Sequence, residues 1–357
     1  MEARPNWLSE KSSLFTSLQK QQQVFKKDKE RDMTINASVS ALAETACARR
    51  PDVLGVHSIN EFVFSVPDLQ LAQSFYGDFG LDVRREENYL ALYSYGHPHR
   101  WARIFQGDEK RLLWISWGIY EDDQRAFVEQ LGKKNIPIVE NPPGAPAEGI
   151  WFQGPDGVAQ QLMVSEKCTP DRKSPRVFAP EASDHGRAPR RSETRQVRPN
   201  RLSHILTFTA DVDAAARFYI DVLGLRLSDR SGSIIAFMHG AHGSDHHLIA
   251  LAGGGGPGLH HSSWDVTSFD DVGLGSQQMA VAGYERGWGL GRHVLGSNYF
   301  RYVRDPWGSY CEYSFDIDHI AADSDWPAGD YPAEDALYVW GEVPPDDFTK
   351  NYELKPV

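Results

Sequence analysis

Two adjacent histidines, His260 and His261, stand in the stretch "GLHHSSWDV". Successive residues of a β-strand point to opposite faces, so a pair of neighbouring imidazoles raises the question of which one does chemistry. Under strict alternation His260 shares a face with Trp264 and Val266, which reads as packing beneath a helix. His261 shares one with Ser263 and Asp265, which reads as the lining of a wet cleft. His261 is therefore the candidate ligand, and His260 supports it. His204 in "LSHILTFT" and Glu312 in "YCEYSF" sit on two further strand-like stretches. Two imidazoles and one carboxylate from three strands form the facial set that binds Fe(II) and leaves its remaining positions open.

The chain supplies its own comparison, because its two halves repeat each other. "INEFVFSVPDLQLAQSFYGDFGL" from Ile59 parallels "LSHILTFTADVDAAARFYIDVLGL" from Leu202. Each reads as an alternating strand, an Asp able to cap a helix, a helix carrying Phe-Tyr, and a closing Gly. "LLWISWGI" matches "LHHSSWDV", and "GPDGVAQQLMV" matches "DPWGSYCEYSF". At the positions of His204, His261 and Glu312 the first half carries Glu61, Trp114 and Gln161. Only the second half holds the ligand set.

More titratable groups lie close by. "SDHHLIAL" puts His246 and His247 directly before an apolar run, which weakens the bland reading of solvated surface. "ERGWGLGRHVLGSNYFRYV" brings Arg286, Arg292, His293 and Tyr302 just ahead of the strand bearing Glu312; solvated surface is the plain alternative for the arginines. Cys311 adjoins Glu312 and must point to the other sheet face. "AGGGGPG" lacks the Lys and Ser/Thr of a phosphate loop and reads as a turn between strands.

The elements that must position these residues follow from the repeat. Strand, helix, then several strands recurs within each half, which predicts an α+β protein built by duplication. The 357 residues suffice for two domains. Residues 1–54 read as a polar leader and 55–165 as an N-terminal domain without metal. Residues 166–200 form a Pro/Arg-rich linker, 201–320 the metal-bearing domain, and 321–357 an acidic, aromatic tail covering the site. A net charge of −12 disfavours nucleic acid and anionic membranes as partners. No apolar run reaches the roughly 18 residues that span a bilayer, and the N-terminal stretch turns polar too soon for a signal peptide. Three scattered cysteines, Cys47, Cys168 and Cys311, suit a reducing cytoplasm without a disulfide framework.

The segments "HLIALAGGGGPGLHHSSWDV" and "RGWGLGRHVLGSNYFRYVRDPWGSYCEY", with the repeat of "LSHILTFTADVDAAARFYIDVLGL", resemble the type I extradiol ring-cleaving dioxygenases of the vicinal oxygen chelate superfamily. The resemblance spans about residues 57–320. It implies two tandem domains, each of two βαβββ modules forming an incomplete barrel, with metal only in the second. It implies that His204, His261 and Glu312 bind Fe(II), or Mn(II) in some relatives. It casts His247 as acid/base, with His246 as the alternative should the loop register slip by one. Tyr302 and His293 would orient a catechol, and Arg286 would lend support from nearby. O2 is the second substrate, and a homo-oligomer is expected. Leu206 and Leu248 depart from the polar residues that some relatives carry at these places. The tail carries no arginine to meet a carboxylated ring, so a neutral alkyl- or aryl-substituted catechol is expected. Two other readings compete: a glyoxalase- or epimerase-type metalloenzyme, and a non-catalytic binding protein of bleomycin-resistance type.

Overall fold

The structure, a computed structural model, describes residues 49–177 and 188–355. The leader up to residue 48 and the middle of the linker lie outside the described residues.

Each half opens on a strand of strong apolar character, Ser58–Val66 and Arg201–Thr209, running into a helix. The helices Leu69–Asp78 and Val212–Leu223 start where the Asp68 and Asp211 carboxylates accept the amides of Leu71 and Ala214, both at 2.9 Å. Their ends are set by glycines in the left-handed region, Gly80 (φ +100°) and Gly224 (φ +69°). The two positions are reciprocal. A Cβ on Gly80 would meet the Val197 carbonyl that leads into the second half, and one on Gly224 would meet the Leu54 carbonyl that leads into the first.

The first sheet runs Asp82–Arg85, Tyr89–Tyr93, Arg100–Gln106, Ser58–Val66, Arg111–Ile119, Ala159–Val164, Ile150–Gln153. The second runs Gly329–Asp330, Arg226–Ser231, Ile235–His239, Ile249–Gly253, Arg201–Thr209, Gly258–Asp265, Tyr310–Phe315, Tyr299–Arg304, Gly287–His293, Tyr338–Gly341. In both, the opening strands of the two modules pair antiparallel at the centre, and each is flanked by a parallel neighbour. The second half contains two strand–helix–three-strand modules with a short extra pair, Ser244–Asp245 with His319–Ile320. In the first half the second module has two strands after its helix. Its third is reduced to a bridge between Ile138 and Phe152, because the prolines of "IPIVENPPGAP" cannot donate to a ladder.

One large apolar cluster joins the halves. Phe79 stacks on Tyr313 with ring centroids 3.9 Å apart, and Trp117 meets Tyr219 edge-on at 5.8 Å. Cys311 lies in this core, on the far face from Glu312, and its thiol is pushed up to about 12 by burial. Segments 166–177 and 188–200 pack down: Thr169 donates to the His57 carbonyl, Arg176 reaches Asp316, and Arg195 reaches Asp271. Among the described residues no helix is long and apolar enough to cross a membrane, and Cys168 and Cys311 are free thiols.

Candidate metal centre

Three adjacent central strands carry His204, His261 and Glu312. Their register sets the site. Ser263 lies opposite His204 on one side and opposite Glu312 on the other. His261, two residues along from Ser263, falls on the same face. The first half repeats this row residue for residue, with Ser116 opposite both Glu61 and Gln161 and Trp114 two residues before it. The duplicate has filled its cradle. Glu61 is buried and accepts from Arg100 and Arg103, Gln161 donates to the Glu148 carbonyl, and Trp114 packs on Trp151.

In the second half the row converges. One ligand atom from each of His204, His261 and Glu312 lies within 4.8 Å of the others, and all three residues are buried. Glu312 Oε2 is 3.4 Å from His204 Nε2 and 3.6 Å from His261 Nε2. Atoms bonded to one ion at about 2.1 Å sit about 3 Å apart when at right angles, so the spacing suits a shared cation. Glu312 Oε2 and His261 Nε2 are buried without a hydrogen-bond partner. Buried polar atoms are seldom left so, and an ion between them would satisfy both. The residues present fit a metal.

The groups behind the ligands fix which atoms face inward. Ser203 donates to Asp245 at 2.8 Å, so its oxygen is free to accept from His204 Nδ1 at 3.2 Å. Asp245 is anchored in turn by Arg201 at 2.7 Å. On the other side His260 Nε2 donates to the Phe348 carbonyl at 2.7 Å. Burial pushes the His260 imidazole down to about 4, so it is neutral and its Nδ1 accepts from His261 Nδ1, also at 2.7 Å. Both histidines thus present a bare Nε2, the form a metal requires. Asn298 donates to Glu312 Oε1 at 3.0 Å and leaves Oε2 for the ion. Although burial opposes its charge, the neighbouring His204 imidazole holds the Glu312 carboxyl below its ordinary value.

Strict alternation fails at His260. A bulge between Leu259 and His261 inserts it as an extra residue, so its ring borders the same cavity as His261. Trp264 lies instead in the core.

The centre opens onto a cavity of about 290 Å³ lined by His247, His293 and Tyr302 together with Leu206, Phe208, Phe237, Leu295, Leu337 and Phe348. No lysine or arginine lines it among the described residues. Leu337 and Phe348 come from the tail. Burial among neighbouring imidazoles holds His247 well below the usual histidine range, and burial lifts the Tyr302 phenol well above its ordinary value. His293 Nδ1 donates to the Leu337 carbonyl at 2.7 Å, which leaves Nε2 to accept the Tyr302 hydroxyl at 2.9 Å. Two of the sequence candidates stay outside the cavity. His246 sits behind His247. Arg286 is exposed, because pairing of Gly287 with Val303 places it beside Arg304 near Asp347. Sequence reasoning missed Asn298, Ser203, Asp245 and the Phe348 carbonyl; none has a spacing that marks it.

Residues 58–162 and 201–313 match the Glyoxalase/Bleomycin resistance protein/Dioxygenase superfamily. The chain is similar to Metapyrocatechase 2 of Cupriavidus necator, 48% identical over 298 residues, covering 84% of this chain and 93% of that protein. It is also similar to the 2,2',3-trihydroxybiphenyl dioxygenase of Sphingomonas paucimobilis, 28% identical over 275 residues, covering 73% and 87%. Among solved structures, the Mn(II)-bound glyoxalase from Novosphingobium aromaticivorans aligns with a TM-score of 0.66 at 25% identity, covering 84% of this chain and 95% of that one.

Proposed function

Because the chain belongs to the extradiol ring-cleaving dioxygenases of the Glyoxalase/Bleomycin resistance protein/Dioxygenase superfamily, we propose that it opens a neutral alkyl- or aryl-substituted catechol at Fe(II) held by His204, His261 and Glu312. The observation that carries this reading is the convergence of two bare imidazole nitrogens on one carboxylate oxygen at the head of an apolar cavity. Held by His204, His261 and Glu312, Fe(II), or Mn(II) in its place, would supply a Lewis-acidic, redox-capable centre for the reaction of diol with O2.

The chain's own residues do the rest. His247 is neutral and lines the cavity, so it can take a proton from a diol hydroxyl and return it later in the reaction. The Tyr302–His293 pair fixes a phenol oxygen whose free lone pair can accept from a substrate hydroxyl, with the His293 ring held by the Leu337 carbonyl. The walls Leu206, Phe208, Phe237 and Phe348 exclude water and receive an apolar ring substituent. Degradation of aromatic compounds inside the cell, by an assembly of identical subunits, is the setting that suits this chemistry.

The glyoxalase reading draws on the Novosphingobium structure. Against it, the candidate ligand group has three members, and the matching row in the first half is filled by Glu61, its arginines and Trp114.

The test is anaerobic purification, metal analysis, then addition of O2 with a panel of catechols. A yellow product of cleavage beside the diol from alkyl- or aryl-catechols is expected. A clear preference for a carboxymethyl-catechol would overturn the substrate class, and no ring opening with any diol would overturn the reaction.

A further inference from the structure

Behind His247 lies a buried pair that the chemistry above leaves unused. Asp229, on the strand Arg226–Ser231, places Oδ2 2.7 Å from His246 Nε2, and both side chains are closed off from solvent. Asp229 Oδ1 accepts the Gly329 amide at 2.7 Å. The other nitrogen of His246 lies 3.0 Å from His247 Nδ1. His246 is clamped in place: its amide donates to the Asp318 carbonyl at 2.6 Å, Ser228 donates to its carbonyl, and its ring meets Trp326 edge-on with centroids 5.4 Å apart.

We propose that Asp229 and His246 are positioning residues that fix which nitrogen of His247 faces the substrate with a lone pair. This rests on His247 being the proton-moving group. A carboxylate only accepts, so His246 Nε2 carries the hydrogen and donates to Asp229. With that hydrogen placed on Nε2, His246 Nδ1 offers a lone pair that accepts from His247 Nδ1. His247 Nε2, the nitrogen not engaged by His246, keeps its lone pair in a ring that lines the cavity. The proton it takes from the diol is the one it gives back, so the pair changes no stoichiometry. An Asp–His pair needed only for packing would be satisfied without the third member. The 3.0 Å contact to His247 links it to the reaction.

The variant Asp229→Asn tests this, because its amide can donate to His246 Nε2 and turn the whole series round. In the full chain labelled with nitrogen-15 histidine, NMR of the wild type should show His247 protonated at Nδ1, and in Asp229→Asn at Nε2. In the iron-loaded enzyme the same variant should lose at least about 50-fold in kcat while KM for an alkyl-catechol and bound iron stay within about twofold. His246→Phe, which keeps the ring's bulk and removes the nitrogens, should lose kcat to a similar extent, and it serves should Asp229→Asn fail to fold. The idea is overturned if either folded variant keeps kcat within about twofold, if kcat and bound iron fall together, or if wild-type His247 is protonated at Nε2. The NMR reading needs no turnover. A wild type that opens no catechol would therefore remove the function and leave the arrangement of protons standing or falling by itself.

Discussion

The Nδ1 atoms of His260 and His261 lie 2.7 Å apart, and the far side of His260 ends on the Phe348 carbonyl. One imidazole therefore sets the hydrogen-bonding state of the other. His260→Ala should weaken metal binding about 10–100-fold, since outer partners of a ligating histidine contribute on that scale. Chelator competition with the Fe(II) protein measures it. Unchanged affinity would mean that His261 keeps its bare Nε2 without help.

Asn298→Ala removes the donor on Glu312 Oε1 and also the contact to the Ser314 hydroxyl at 2.9 Å. With Oε1 released, the Glu312 carboxylate can rotate. Metal affinity should fall about 10-fold or more, and the fold should persist, as judged by circular dichroism.

His261→Ala and His247→Ala separate holding the metal from moving a proton. The first should lose both bound iron and turnover. The second should retain iron and lose about 10²–10⁴-fold in kcat, the range for a positioned acid/base. Equal loss of iron in both would reassign His247 as a ligand.

In the first half, Glu61 is a counter-ion for Arg100 and Arg103, and Arg103 is itself buried. Glu61→Leu leaves that guanidinium unpaired and should cost about 3–5 kcal/mol in urea unfolding. Iron per chain should not change. A drop in bound iron would give the first half a part in metal binding.

Three buried histidines that are not metal ligands make stability depend on pH. Burial lowers His57 and His242 to about 4 and His239 to about 3. Each is neutral when folded and takes up a proton more readily when unfolded, so stability is complete above about pH 6.5 and declines as pH falls toward 4. His57 alone should account for about 2 kcal/mol by pH 5. Thermal melts from pH 7.5 to 4.5 should shift downward, and His57→Gln should flatten the slope.

The duplicated pattern made the architecture legible, because strand alternation and Asp-capped helices occur twice at matching positions. It made the ligand row legible too: aligning the halves pairs His204, His261 and Glu312 with Glu61, Trp114 and Gln161, and the two sheets hold those sets in the same register. Alternation could not show the bulge at His260, since an inserted residue leaves no mark on a run already rich in buried side chains. Proximity in sequence misplaced Arg286, which lies exposed just ahead of the strand that pairs Gly287 with Val303. Asn298, Phe348 and Asp229 act from loops or distant strands. Their roles depend on tertiary packing and not on local period.

The row His204–Ser263–Glu312 also makes the sheet a ruler. Neighbouring strands are held about 4.8 Å apart by the backbone ladder, so the gap a cation must bridge is dictated by peptide spacing before any side chain is chosen. A small hydroxyl on the middle strand keeps that gap clear. Exchanging three side chains in such a row is enough to fit it for an ion or to close it, and the two halves of this protein carry one set of each kind in matching register.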